Sequence, residues 1–125
     1  MNSMETILEW TFIARSDVPK DVSKILASNE TAVAAFKTVR DRAIFTNKRL
    51  IIRDSQGMTG SKVEMYSIPY ASINMWATEN AGISLDMSAE VDLWTRAGHF
   101  KINLLRGIDV REFDQIIAEA VFGSK

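Results

Sequence analysis

Residues 43–52 read Ala43-Ile44-Phe45-Thr46-Asn47-Lys48-Arg49-Leu50-Ile51-Ile52. Two apolar runs of β-forming residues flank a polar stretch that carries an asparagine. That is the pattern of a β-hairpin, and Asn47 suits a reversal, including one that needs positive φ. The same period continues outward. On the N-terminal side, Thr31 opens a strand through Ala32–Phe36 into Lys37-Thr38-Val39. On the C-terminal side, Asp54-Ser55-Gln56-Gly57 turns, with more loop at Thr59-Gly60. Lys62–Ile68 then alternates until Pro69 stops it. Ile73, Met75 and Ala77 share one face of a further strand. Val91 and Leu93 alternate with Asp92 and Trp94. After a turn at 96–99, Phe100, Ile102 and Leu104 alternate with Lys101 and Asn103. About seven strands at hairpin spacing result.

The chain then changes period. Val110, Phe113, Ile116, Ile117, Ala120 and Val121 form one stripe of a helix over 109–122, with Arg111, Asp114, Gln115 and Glu119 opposite. Asp109 and Glu112 stand as a capping box, and Gly123 terminates the helix. Residues 1–29 read as an N-terminal helical segment. Met4, Ile7, Leu8 and Thr11 follow helical spacing, although Phe12 and Ala14 fit an extended chain equally well. A second stretch from Asp17, with Pro19 in its first turn, places Val18, Val22, Ile25 and Leu26 on one face. The expected class is α+β, mainly β: an antiparallel sheet over 30–106 that curls to hide its apolar face, with the last helix as its lid.

The chain's 125 residues suit one domain, and no Pro/Gly/Ser linker divides it. With a formal net charge of −1, it lacks the cationic excess of a general nucleic-acid binder. The absence of cysteine excludes disulfides and thiolate metal sites and fits a reducing compartment. The first residues lack the features of a signal peptide, and no apolar run is long enough to span a bilayer, so the expected location is the cytoplasm.

Four pieces in the middle of the chain, in this order and spacing, resemble the bacterial pleckstrin-homology (PH) domain family. They are Phe36-Lys37-x-Val39-Arg40-Asp41, then Phe45-Thr46-Asn47-Lys48-Arg49-Leu50-Ile51, then Asp54-x-Gln56-Gly57-x-Thr59-Gly60-x-Lys62-Val63, and finally Tyr66-Ser67-Ile68-Pro69-Tyr70-x-Ser72-Ile73. The resemblance covers roughly residues 20–122. It implies a PH-like barrel with a C-terminal helix, no catalysis, and a closed ring of identical subunits, five-fold being favoured. It also implies a polar surface where strands of adjacent subunits meet, proposed to bind an unknown protein partner. Two departures stand out. Residues 82–92 carry one residue more than the pattern, which predicts a bulge or longer loop. The last helix lacks the tryptophan of eukaryotic PH domains, and Phe113 is expected in its core position.

The residues for that polar surface or interface are Lys37, Arg40, Asp41, Arg42, Asn47, Lys48, Arg49 and Tyr66. The cations Lys37, Arg40, Arg42, Lys48, Arg49 and Arg53 have a second reading as a grip on anionic lipid headgroups, since Arg and Lys combine charge with directed donors. The plainer reading, solvated strand positions with Asp41 and Asp54 as local partners, is favoured over lipid binding. Arg49 has the reach to meet a carboxylate across the hairpin or on a neighbour. His99, the only histidine, is expected to be exposed with no aspartate behind it, so neither a zinc site nor a Ser/His/Asp set is expected. Asp86, Glu90 and Asp92 lack calcium-loop spacing and read as a solvated face. Trp94 lies on the polar phase of its strand and is expected to point outward. Catalytic residues, metals and cofactors are all expected to be absent.

Overall fold

The hairpin at 43–52 forms as its sequence dictates, and the rest of the barrel is built around it. The computed structural model describes residues 7–56, 58, 60–80, 89–105 and 107–123. In chain order the elements are β1 (Ile7–Phe12), β2 (Ala14–Arg15), α1 (Lys20–Ser23), β3 (Ala32–Lys37), β4 (Arg42–Thr46), β5 (Arg49–Gln56), β6 (Lys62–Pro69), a 3₁₀ turn (Tyr70–Ser72), β7 (Ile73–Glu79), β8 (Ala89–Thr95), β9 (Gly98–Leu104) and α2 (Val110–Gly123). They make a five-stranded sheet, β2-β3-β4-β5-β6, and a four-stranded sheet, β1-β9-β8-β7. Strands β3 to β9 are joined in antiparallel pairs within each sheet. The chain passes between sheets at the Tyr70–Ser72 corner.

The N-terminal segment departs from expectation. Only one helical turn, Lys20–Ser23, lies within 7–29; Ile7–Phe12 is a strand. Its period is two, not 3.6: Leu8, Trp10 and Phe12 alternate with Glu9 and Thr11, and Phe12 is fully buried. Strand β1 runs parallel to β9, with Ile7 opposite His99 and Phe12 opposite Leu104. After Ile13, β2 pairs with Lys37 and Phe36 of β3. One continuous stretch of chain thus seams the two sheets together. Beyond Ser16 it crosses the outer face of the five-stranded sheet. There Val22, with Val18 and Leu26, packs on Ala35, Ile44 and Ile51, as the apolar face read from the sequence requires; Ile25 stays exposed.

The main core fills the space between the sheets and under α2. Phe113 sits fully buried among Phe12, Phe36 and Phe45, at ring-centroid distances of 5.8, 4.8 and 5.3 Å. It occupies the central helix position expected of it. Val110, Ile117 and Ala120 continue the buried stripe. The expected capping box forms only in part. The Asp109 carboxylate accepts from the Arg111 N–H, but the Glu112 carboxylate turns away to pair with Arg15, whose guanidinium also lies over the Phe36 ring. Asp114, on the other flank, accepts from the Trp76 indole (3.1 Å) and the Thr78 hydroxyl (2.8 Å), and these bonds hold its carboxyl below the usual range. Helix α2 is therefore tied to both sheets. The irregularity expected at 82–92 lies mostly outside the described residues.

Candidate functional site

The basic residues grouped in the sequence occupy two opposite ends of one sheet. Successive antiparallel strands place the β3–β4 and β5–β6 turns at one end and the β4–β5 turn at the other. Arg40, Arg42 and Arg53 share the first end; Asn47, Lys48 and Arg49 share the second.

At the second end Arg49 is a framework residue. Its Nε and Nη2 donate to the two carboxylate oxygens of Glu30 (2.9 and 3.0 Å), and it also donates to Ser67 Oγ and the Ile25 carbonyl. Glu30 further accepts from the Thr46 hydroxyl (2.6 Å) and the Ala27 N–H (3.0 Å). The Arg49 bonds, aided by those from Thr46 and Ala27, hold its carboxyl down at about 2 against the opposing effect of burial. Asn47 is likewise structural. No described non-glycine residue has positive φ, so Asn47 is not there for a left-handed backbone. Its Oδ1 accepts from the Thr31 N–H (2.8 Å) and its Nδ2 donates to the Asn29 carbonyl (3.2 Å), so its side chain stitches the 29–31 loop to the hairpin. Lys48 is exposed at the turn.

At the first end charge is sorted by face. Lys37, Arg42 and Arg53 are cross-strand neighbours on the outer face. With Arg40, Ser55 and residues 16–19, two of them, Arg42 and Arg53, line a hollow of about 510 Å3. The carboxylate partner of Arg53 is Asp21 (2.9 Å) and not Asp54. Arg40 donates to the Ser55 carbonyl, and Arg42 to the Asp41 carbonyl. Asp41 and Asp54 instead lie beside one another. Desolvation, followed by the Asp54 charge, raises the Asp41 carboxyl above its ordinary range. Glu64 stands directly across from Asp54. Tyr66 packs against the main core on this inner side; burial, then Glu64 and Asp54, raise its hydroxyl. Asp41 and Asp54 thus form an acidic inner rim, and of the local pairs expected for the arginines only the Arg40 charge reaches Asp41, where it offsets part of that rise. Val39 (86% exposed) and the fully exposed Met58 stand at the turns of this end.

His99 also departs from expectation. Its Nε2 lies 2.7 Å from Asp92 Oδ1, its ring stacks on Trp94 at 4.6 Å, and its side chain is largely covered. Trp94 does point outward, on the face it shares with Asp92. Glu90 pairs with Lys101 at 3.6 Å, while Asp86 is outside the described residues. No cluster of three or more potential metal ligands exists among the described residues, and no described helix is long and apolar enough to cross a membrane.

Two sheets, seven antiparallel strands and a C-terminal helix seated by Phe113 define the fold, and a family model described as "Bacterial PH domain" matches residues 3–121. The chain is a bacterial PH domain. Among solved structures, this PH domain is similar to a DUF1696 family protein with a pleckstrin-homology domain from Shewanella loihica PV-4. The TM-score is 0.77 at 35% identity, covering 86% of this chain and 96% of that one. A pleckstrin homology domain from Shewanella amazonensis SB2B gives a TM-score of 0.63 at 43% identity, covering 81% and 82%. Among curated relatives, the uncharacterized protein YjqA of Bacillus subtilis (strain 168) is 44% identical over 82 residues, which is 66% of this PH domain and 65% of YjqA. The uncharacterized protein YozO of the same organism is 27% identical over 107 residues, covering 86% and 92%.

Proposed function

We propose that this PH domain is a non-enzymatic, cytoplasmic protein-interaction module that assembles into a cyclic homo-oligomer, five-fold being favoured, and presents its joined strands to a protein partner. The observation that carries this reading is the bare wall formed by β6 and β7. Among the described residues, each is the terminal strand of its sheet and is paired on one side only. Of their residues only Ile68 is buried, and Val63 and Met75 (54% exposed) lie open to solvent. Unpaired edges with apolar side chains are templates for further strand pairing, and a head-to-tail contact repeated around an axis closes a ring. A ring also multiplies one weak contact into avidity for a repeated partner. Size-exclusion chromatography with light scattering tests this. The native chain should elute as one discrete oligomer, and Val63→Glu/Met75→Glu as a folded monomer. A native monomer at high micromolar concentration would refute the assembly.

One observation favours a second reading, a peripheral module for anionic lipid headgroups. The arginine-lined hollow is flanked by Val39 and Met58 at the same end of the sheet, so cationic donors and apolar turn tips face outward together. Co-sedimentation with phosphatidylglycerol vesicles that depends on Arg40 and Arg42 would support it, and equal recovery with neutral vesicles would count against it.

A further inference from the structure

The strand position beside β3 is only half occupied. Strand β2 covers Phe36 and Lys37, and the Ser16 N–H reaches the Ala35 carbonyl at 2.9 Å. The chain then leaves the edge to cover the outer face. Among the described residues no strand lies alongside Ala32–Ala34 on that side. Val33 is skipped in the pairing of β3 with β4, where the register shifts between Ala32 and Ala34, and its side chain is 56% exposed. An open groove of about 550 Å3 lies at this edge. Val33, Ile116 and Ala120 give it apolar lining, Glu112 and Glu119 line its helix side, and Lys48 stands at the β4–β5 turn. Glu112 is already engaged by Arg15, whereas Glu119 has no ion-pair partner among the described residues.

We propose that this groove between β3 and α2 receives an extended peptide segment of a partner protein, which adds to the β3 edge as a strand. Its apolar side chain would rest on Val33 and Ile116, and a lysine or arginine would face Glu119. Strand addition supplies main-chain hydrogen bonds to an edge that lacks them, and alternate side chains then meet the sheet-side lining. The acidic helix wall selects the charge of the occupant. This surface lies apart from the β6–β7 wall, so the two readings fail independently.

The test pans a displayed library of random nine-residue peptides against the full-length chain. Enriched sequences should alternate apolar residues and carry a lysine or arginine. When synthesised, they should slow amide exchange at Val33 at least about tenfold. The exposed-site variants Val33→Lys and Glu119→Lys, if folded as judged by an unchanged melting temperature, should each weaken binding by about tenfold or more, while Met75→Glu should not. The proposal is overturned by any of three results: failure to enrich basic extended sequences, enriched peptides that bind both variants undiminished, or loss of self-association in Val33→Lys, which would make the groove a contact between copies.

Discussion

The guanidinium of Arg49 closes on the carboxylate of Glu30, whose side chain is 2% exposed, in a two-point pair that joins the β4–β5 hairpin to the end of the helical crossing. Two charges removed from water stand only because their hydrogen bonds are complete. Glu30→Gln should therefore destabilise the domain by roughly 3 kcal/mol, and Arg49→Ala by a similar amount, since either leaves a buried partner unmatched. Combining Glu30→Gln with Arg49→Met should cost clearly less than the sum of the single changes. Urea unfolding followed by tryptophan fluorescence measures all of these, and single-variant losses under about 1 kcal/mol would contradict the ion pair's role.

The same pair sets an acid limit. The Glu30 carboxyl is depressed from 4.5 to about 2 in the folded chain, so its contribution is fully present above pH 4.5 and fades as pH falls toward about 2. That fading amounts to roughly 3 kcal/mol by linkage. The stability gap between the native chain and Glu30→Gln should accordingly shrink over this window. A gap that stays constant down to pH 2 would show that the carboxylate charge is not its source.

Asp41 has the opposite sign. Its folded carboxyl is raised above 3.8 by burial and by Asp54, so its ionised form opposes folding above the raised value, and the penalty is absent below pH 3.8. Asp41→Asn should raise the thermal midpoint at pH 7 and lose that advantage in acid. A lowered midpoint at pH 7 would mean that the charge is compensated.

Asn47 distinguishes side-chain bonding from backbone strain. Residues chosen for positive φ tolerate or favour glycine. Asn47 instead acts through two side-chain bonds to the 29–31 loop. Asn47→Gly and Asn47→Ala should both cost about 1–2 kcal/mol. A neutral glycine variant would return the position to a turn role.

The two phenylalanines of α2 should behave in contrast. Phe113→Ala removes the hub of the aromatic core and should cost about 3–5 kcal/mol. Phe122 is mostly exposed and meets Trp76 in a tilted contact at 5.7 Å, so Phe122→Ala should cost about 1 kcal/mol or less. Thermal unfolding of the two variants separates them.

Most of the barrel could be read from residue order because each β-run is bounded by its own turn and the final helix carries an unbroken apolar stripe. Strand β1 is disguised in the sequence because Met4, Ile7, Leu8 and Thr11 mimic a helical face, while the alternation of Leu8, Trp10 and Phe12 that governs the structure occupies the same few residues. The partners of Arg49 and Arg53, Glu30 and Asp21, lie 19 and 32 residues away and leave no local trace. The Asp92–His99 contact was closer to view. Trp94 and His99 face one another across a short turn, and Asp92, two residues earlier, must share their face. Charge sorting between outer and inner rims depends on strand parity, which composition alone does not disclose.

The parallel seam between β1 and β9 has a consequence for biosynthesis. Ile7 meets His99, so the earliest described strand waits for one of the last before it has a partner. On a translating ribosome the apolar residues Leu8, Trp10 and Phe12 emerge long before β9 does, and until then they are exposed to chaperones or to neighbouring nascent chains. Closure of the barrel is therefore a late event, and any stall before residue 104 leaves Leu8, Trp10 and Phe12 uncovered.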